Sequence, residues 1–221
     1  MYFCRSFQVE NFVKIFYWET MRIKDKIEAR IRESEEGTFF FISDFAEQGN
    51  DVFISRLLSE YVDEGLLCRL SNGIYYKPIS TKFGVLYPEV EQLAEAIARR
   101  DNAQILPTGA AAQNILGLST QIPLNHIYLT SGSARKITIG DKVLVFKRCV
   151  PKNFSYSNEF IAILIQALKS LGKDNISPEQ ELMIKSLIRK HADKKTLKKD
   201  LGIAPLWIRK KLFSMAKEEN V

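Results

Sequence analysis

Cysteine and histidine are scarce in this chain of 221 residues, which has three of the first and two of the second. Cys4, Cys68 and Cys149 stand far apart, odd in number and without any C-x-x-C spacing. That pattern argues against a disulfide framework and against a zinc site, and it fits a reducing cytoplasm. With only His126 and His191, a histidine-rich metal centre is not expected either. No apolar run reaches the roughly 20 residues that a bilayer span needs. Residues 1–20 hold many aromatics (Tyr2, Phe3, Phe7, Phe12, Phe16, Tyr17, Trp18), but Arg5, Gln8, Glu10, Asn11 and Lys14 interrupt them. A secretory leader has an unbroken apolar stretch and a small-residue cleavage site, and this segment has neither. It reads as an over-extended start before Met21, with an amphipathic packing arm as the alternative. Repeats and low-complexity stretches are also missing.

What is present is a globular balance, 46% hydrophobic and 26% charged residues, enough for a sizeable core and against global disorder. The net charge of +6 draws a chain toward polyanions such as DNA, RNA or an anionic membrane. The charge is uneven. The stretch from Arg22 to Ser80 is slightly acidic, and the basic excess lies late, in Lys185, Arg189, Lys190, Lys194, Lys195, Lys198, Lys199, Arg209, Lys210, Lys211 and Lys217.

Periodicity divides the chain near residues 80–88 into an N-terminal unit (21–80) and a second unit (88–221). In the first, Ile23, Ile27 and Ile31 recur every four residues, predicting a helix from about Arg22 to Glu33. A β-prone run from Thr38 to Ile42 follows, then a short helix that Ser43 or Asp44 can cap. Asn50 or Asp51 caps a longer helix to about Glu64, with Ile54, Leu57, Leu58, Tyr61 and Val62 on one stripe. Gly65 stands where a helix needs a left-handed residue to stop. Ser71-Asn72-Gly73 between two β-prone runs is a strong hairpin signal. Residues 82–88 read as a connector.

The second unit reads as a helix from Glu89 to Arg100, a strand near Gln104 to Leu106, and an Ala-rich helix ending at Gly117. Three β-like runs follow: His126 to Thr130, Lys136 to Ile139 and Lys142 to Lys147. From Ser157, expected to cap a helix to about Leu171, the chain is helical. Ser177-Pro178-Glu179-Gln180 is a complete helix-start signature. The expected class is therefore α+β: an N-terminal winged helix-turn-helix, then a mixed α/β domain with a helical C-terminal end.

The winged-helix expectation rests on the order helix, strand, helix, helix, hairpin between residues 22 and 78. In such a module the helix after the tight turn enters the major groove and the hairpin touches the flanking backbone. The stripe directs Ile54, Leu58, Tyr61 and Val62 inward and leaves Asp51, Ser55, Arg56 and Ser59 outside. Arg56 has the fork geometry to bond guanine O6 and N7. Asn50, Ser55 and the free N–H groups at the helix start can hold a phosphate. Ser43 precedes the turn, and on the wing Arg69, Asn72 and Lys77 are the candidate backbone contacts. Double-stranded DNA is the partner this set implies. The competing reading is a protein–protein module, favoured by the acids Asp44, Glu47, Asp51, Glu60, Asp63 and Glu64; Asp51 then only starts a helix and Arg56 is a solvated side chain. Near the C-terminus, helices from about Thr196 to Leu201 and Pro205 to Lys217 form a second, basic pair. Arg209, Lys210 and Lys211 there are a candidate secondary DNA contact, or simply a solvated face of a bundle.

Enzyme readings find no support. Pro107-Thr108-Gly109-Ala110 lacks the G-x-x-x-x-G-K-[ST] frame of a phosphate loop. Thr130-Ser131-Gly132-Ser133 lacks G-x-S-x-G. His126 has no nucleophile at a telling spacing, and Glu89, Glu91 and Glu95 read as an exposed helix face. No catalytic residue, cofactor or metal site is expected.

The run from Pro88 to Arg100, Pro107-Thr108-Gly109, Asn114 to Gln121 with Pro123, and Tyr128-Leu129-Thr130-Ser131-Gly132 with Arg135 together resemble the DUF6088 family. That family is similar to the AbiEi-type antitoxins of type IV, abortive-infection toxin–antitoxin systems. Asp63 to Leu67, Gly73 to Tyr76 and Ala204 to Arg209 also resemble it, so the likeness spans about residues 22–217. It implies a cytoplasmic antitoxin that represses its own operon through the winged helix. A nucleotidyltransferase-like toxin would be counteracted without a stable complex; the alternatives are a stand-alone winged-helix transcription regulator and a toxin-binding adaptor, and a homodimer is expected only if the operator is a two-fold repeat. It supplies no catalytic residues. A surface around Arg99, Arg100, Thr108, Asn114, Thr130, Ser131 and Arg135 is the candidate for antitoxin activity, set against the reading that its Gly, Thr and Ser only build turns and caps.

Overall fold

The computed structural model describes residues 22–217; the expected extension, residues 1–20, lies outside the described residues. The described residues fall into two compact units, divided between Pro88 and Glu89.

In the first unit, α1 (Ile23–Glu33) buries Ile27 and Ile31, while Ile23 remains 46% exposed, so the apolar stripe is one turn shorter than its periodicity suggests. Strand β1 (Phe39–Phe41) runs directly into a single 3-10 turn, Ile42–Phe45. Neither Ser43 nor Asp44 caps that turn. Phe41 occupies the capping position, and the Asp44 carboxylate accepts from the Phe41 N–H at 2.8 Å. Helix α2 (Asp51–Asp63) is capped by Asn50, whose Oδ1 accepts from the Phe53 N–H at 2.9 Å. Asp51 stands instead in the first turn, where the helix dipole favours a carboxylate. The helix ends at Gly65, with φ +75°. Only glycine adopts that conformation without strain, and it lets the Leu66 and Leu67 N–H groups reach back to the Tyr61 carbonyl.

Strands β2 (Cys68–Ser71) and β3 (Ile74–Tyr76) form the Asn72-Gly73 hairpin, and β3 pairs on its other edge with β1, giving the antiparallel order β1-β3-β2. Phe40, Phe45, Ile54, Leu58, Tyr61, Leu67 and Tyr75 close with Ile27 and Ile31 into one core. Val62 is only partly buried at its margin. Residues 79–86, part of which the sequence suggests to be a connector, form a second hairpin, β4 (Ile79–Thr81) with β5 (Gly84–Leu86). Its alternation is too short for period-2 reading, and Phe83, Val85 and Leu86 are exposed.

The second unit starts with α3 (Val90–Arg100), which buries Val90, Leu93, Ala94 and Ile97. Strands β6 (Ile105–Thr108), β7 (Asn125–Thr130), β8 (Arg135–Ile139) and β9 (Lys142–Arg148) form a sheet of order β6-β7-β9-β8, in which only β7 and β9 run parallel. Helix α4 (Gly109–Ile115) packs on α5 (Glu159–Leu171). Asn158, not Ser157, caps α5. The chain ends in α6 (Pro178–His191), α7 (Lys194–Leu201) and α8 (Leu206–Lys217). The Ser177 and Gln180 side chains form the reciprocal cap that the sequence announces. Leu164, Leu168, Ile184, Ile188, Leu197, Leu201, Ile208 and Leu212 share one core. No helix among the described residues is long and apolar enough to cross a membrane.

Candidate nucleic-acid interface

Helix α2 presents two contrasting faces. Ile54, Leu57, Leu58 and Tyr61 are buried, whereas Asp51, Val52, Phe53 and Arg56 face solvent. The Arg56 side chain is 82% exposed and 3.4 Å from Glu60, a carboxylate that also receives Lys24 at 3.3 Å. An exposed pair of this kind is worth little, so the guanidinium can exchange it for a phosphate or a base edge at small cost. Ser55 and Ser59 are half-buried, and the Ser59 hydroxyl donates to the Ser55 carbonyl at 2.8 Å. Ser43 is exposed on the 3-10 turn.

On the hairpin, Arg69 donates to Asn72 Oδ1 at 2.9 Å, across a register shift between Arg69 and Ser71. Lys77 has a different task. Its ammonium donates to the carbonyls of Ile31, Arg32 and Ser34 at 2.9, 2.7 and 2.5 Å, closing the C-terminal end of α1. Three carbonyls at the helix end thus share one cation, that of Ile31 also accepting from the Ser34 hydroxyl at 2.6 Å, and a DNA contact by Lys77 would have to displace them. Lys77→Ala is expected to lower the stability of the first unit by about 1 to 2 kcal/mol, a charged donor's share reduced for partial exposure. A urea midpoint equal to that of the parent would show that solvent replaces the ammonium. The unit is slightly acidic: residues 22–88 carry nine Lys and Arg against eleven Asp and Glu.

In the second unit the candidate antitoxin residues divide. Arg99, Arg100, Thr130, Ser131 and Arg135 gather where α3 ends, β7 ends and β8 begins. Asp101 pairs with Arg100 at 2.8 Å and with Arg135 on its other oxygen. Burial, then the Arg100 charge, holds the Arg135 guanidinium below its ordinary pKa. Arg135 also lies 5.7 Å from the centre of the Phe146 ring. Arg99 is exposed, 3.6 Å from Glu95. Thr130 and Ser131 serve the backbone: Thr130 Oγ1 accepts from the Gly132 N–H at 3.0 Å, and Ser131 Oγ from the Gln104 N–H at 2.9 Å. Thr108 and Asn114 are not part of this cluster. β6 and β7 are antiparallel, so Thr108 lies three positions along from the Ile105–Thr130 pair, about 10 Å away. Asn114 donates to the Ser119 and Gln121 carbonyls at 3.4 and 3.2 Å and shapes the loop after α4.

By spacing alone His126 has no partner and Glu91 lies on an exposed helix face; the fold brings the two together. His126 is 4% exposed in β7, and its Nδ1 approaches Glu91 Oε1 to 3.0 Å without hydrogen-bond geometry. Glu91 therefore does not sit on a plain solvated face. Nearby Tyr128 has its phenol raised well above the ordinary range by burial, with Glu91 and Glu95 adding to it. The signal in sequence would have been the i, i+2 placement of His126 and Tyr128 on one face of a strand. Among the described residues no group of three or more His, Cys, Asp or Glu side chains could hold a metal.

In the C-terminal helices, Arg209 donates to the carbonyls of Leu201, Gly202 and Ala204 at 2.8, 2.5 and 3.4 Å, closing the end of α7. Lys211 pairs with Glu181. Lys210 faces solvent. Of the three cations singled out by sequence, only Lys210 is presented openly.

The model of a family of unknown function, DUF6088, matches residues 26–197. No curated protein matches the chain.

Proposed function

We propose that this chain, which belongs to the DUF6088 family, is a DNA-binding antitoxin whose first unit is a winged helix-turn-helix. In this reading α2 lies in the major groove of the chain's own promoter and the β2–β3 hairpin rests on the flanking backbone. The observation that carries it is the sheet order β1-β3-β2 beneath a helix whose outer face holds a weakly paired, 82% exposed Arg56. Support for the antitoxin role is narrower. It rests on the resemblance of the motifs in α3, β6 and β7 to the DUF6088 family and on that family's similarity to AbiEi-type antitoxins, with a nucleotidyltransferase-like toxin as the functional partner and the cytoplasm as the site of action.

The test is binding of a fluorescent duplex spanning the promoter. Arg56→Ala is expected to weaken specific binding by about 1 to 3 kcal/mol, the value of one forked base contact, and to leave the urea midpoint unchanged. Equal affinity of variant and parent removes α2 as the reading surface. Rescue of growth on co-expression with the neighbouring toxin, using a promoter without any operator, tests the antitoxin role separately.

A second reading draws on Val52 and Phe53, which are 81% and 42% exposed at the start of α2. Apolar groups there, on a unit of acidic balance, suit a protein partner better than a phosphate backbone. Loss of a co-purifying protein on Val52→Asp, with promoter affinity intact, would decide for it.

A further inference from the structure

We propose that α7 and α8 form a second helix-turn-helix that binds double-stranded DNA through its charge, with the outer face of α8 toward the duplex. This stands independently of how α2 is read. Two short helices joined by residues 202–205 have the layout of a DNA-binding helix pair. The turn between them is built to be tight. A Cβ at Gly202 would meet the Lys199 carbonyl oxygen at 2.9 Å, so glycine is required by close approach rather than by its φ of −59°. Arg209 holds the turn from one side through three carbonyls. Asp200, fully buried, holds the pair to the start of α5 by accepting from the Ser157 and Asn158 N–H groups, each at 2.9 Å.

The charge lies here rather than in the first unit. Residues 173–217 carry twelve Lys and Arg against five Asp and Glu. Lys195, Lys198 and Lys199 are exposed at i, i+3 and i+4 on α7, as one stripe. On α8, Leu206, Lys210 and Ser214 are exposed at four-residue spacing. This face of α8 lines a cavity of about 720 Å³ together with Trp207, Lys211, Lys173 and Asp174. Asp174 and the Glu181 paired with Lys211 offset part of that charge. The unopposed lysines on α7 and Lys210 on α8 remain to neutralise phosphates, and sequence-independent affinity of this kind follows from counterion release.

The experiment uses the full chain with its promoter duplex, an unrelated duplex of equal length, and a single-stranded oligonucleotide, each at several salt concentrations. For Lys198→Gln/Lys199→Gln, and separately for Lys210→Ala, binding to both duplexes is expected to weaken alike. The slope of log affinity against log salt should become shallower by about 0.9 for each phosphate that the variant no longer neutralises. The thermal midpoint should not change. Unaltered affinity and slope in both variants would overturn the proposal. So would tighter binding to the single strand than to either duplex, which would assign the cleft around Trp207 to unstacked bases. Arg56→Ala in the same assay lowers only promoter binding if α2 reads sequence, so failure of either site is seen without the other. Absence of binding to any duplex by the parent chain rejects both.

Discussion

Tyr61→Ala is expected to lower the stability of the first unit by about 3 to 5 kcal/mol, as for a buried aromatic cut back to a methyl. That is a large part of the roughly 5 to 15 kcal/mol that holds a domain folded. Tyr61 has 0% of its surface exposed and lies among Ile27, Ile31, Leu58 and Leu67. Its hydroxyl donates to the Lys24 carbonyl at 3.1 Å, tying the end of α2 to the start of α1. The ring and the hydroxyl can be separated. Tyr61→Phe keeps the packing and is expected to cost about 1 kcal/mol, the usual net value of one hydrogen bond. Burial first, and then Glu28, Glu64, Glu60 and Asp25, raise the phenol above its ordinary 10.0. The sign follows. The folded state holds the proton more tightly, so this contribution is complete below pH 10.0 and declines as pH rises beyond it. Urea unfolding followed by tyrosine near-UV circular dichroism is the measurement. A loss below about 1 kcal/mol for Tyr61→Ala would be a surface-type effect and would mean that α2 turns another face to the core.

For Asp200→Ala the expected loss is on the order of 3 to 5 kcal/mol in the second unit. Its carboxylate is fully buried and receives two backbone N–H groups at the entrance to α5. Removing it orphans both donors, at about 1 to 3 kcal/mol each, and opens a small void. Asp200→Asn keeps one carbonyl oxygen, so about half of the loss should return. Trp207 packs against the same core, so its fluorescence in urea reports the change. Because Asp200 also fixes α7 against α5, Asp200→Ala should weaken duplex binding by displacing the helix pair, whereas Lys210→Ala weakens it with the fold intact. Stability equal to the parent's would show that water satisfies both donors and that the carboxylate does not anchor α7.

These two residues differ in how far the sequence discloses them. Tyr61 belongs to a stripe, and a stripe is a local property: side chains three and four apart share a helix face whatever lies opposite. The inward facing of Ile54, Leu58 and Tyr61, the stop at Gly65 and the Asn72-Gly73 hairpin all follow from that kind of short-range rule. So does the Ser177–Gln180 cap. Asp200 gave no such sign. In sequence it is one more charge in Lys198-Lys199-Asp200, and only the packing of α7 against α5 buries it at two unsatisfied N–H groups.

The candidate sites divide along the same line. That Arg56 is outward and that Lys210 is exposed were both readable from helical spacing. That Lys77 and Arg209 are occupied by carbonyls at helix ends was not, because the carbonyls of Ile31 to Ser34 come to Lys77 across more than forty positions of chain. The Arg100–Asp101–Arg135 cluster, and its separation from Thr108 and Asn114, likewise depend on strand pairing.

By itself, then, the sequence determined where the longer helices and most strands lie, which face of those helices is apolar, and that the basic charge collects late in the chain, since these depend on neighbours within a turn or two; the β4–β5 hairpin was not legible in it. Tertiary structure alone decided that β9 lies between β7 and β8, which cations are engaged, and which polar groups are buried. Those outcomes rest on contacts between residues distant along the chain, where the pairing of hydrogen-bond donors with acceptors is settled only when the core closes.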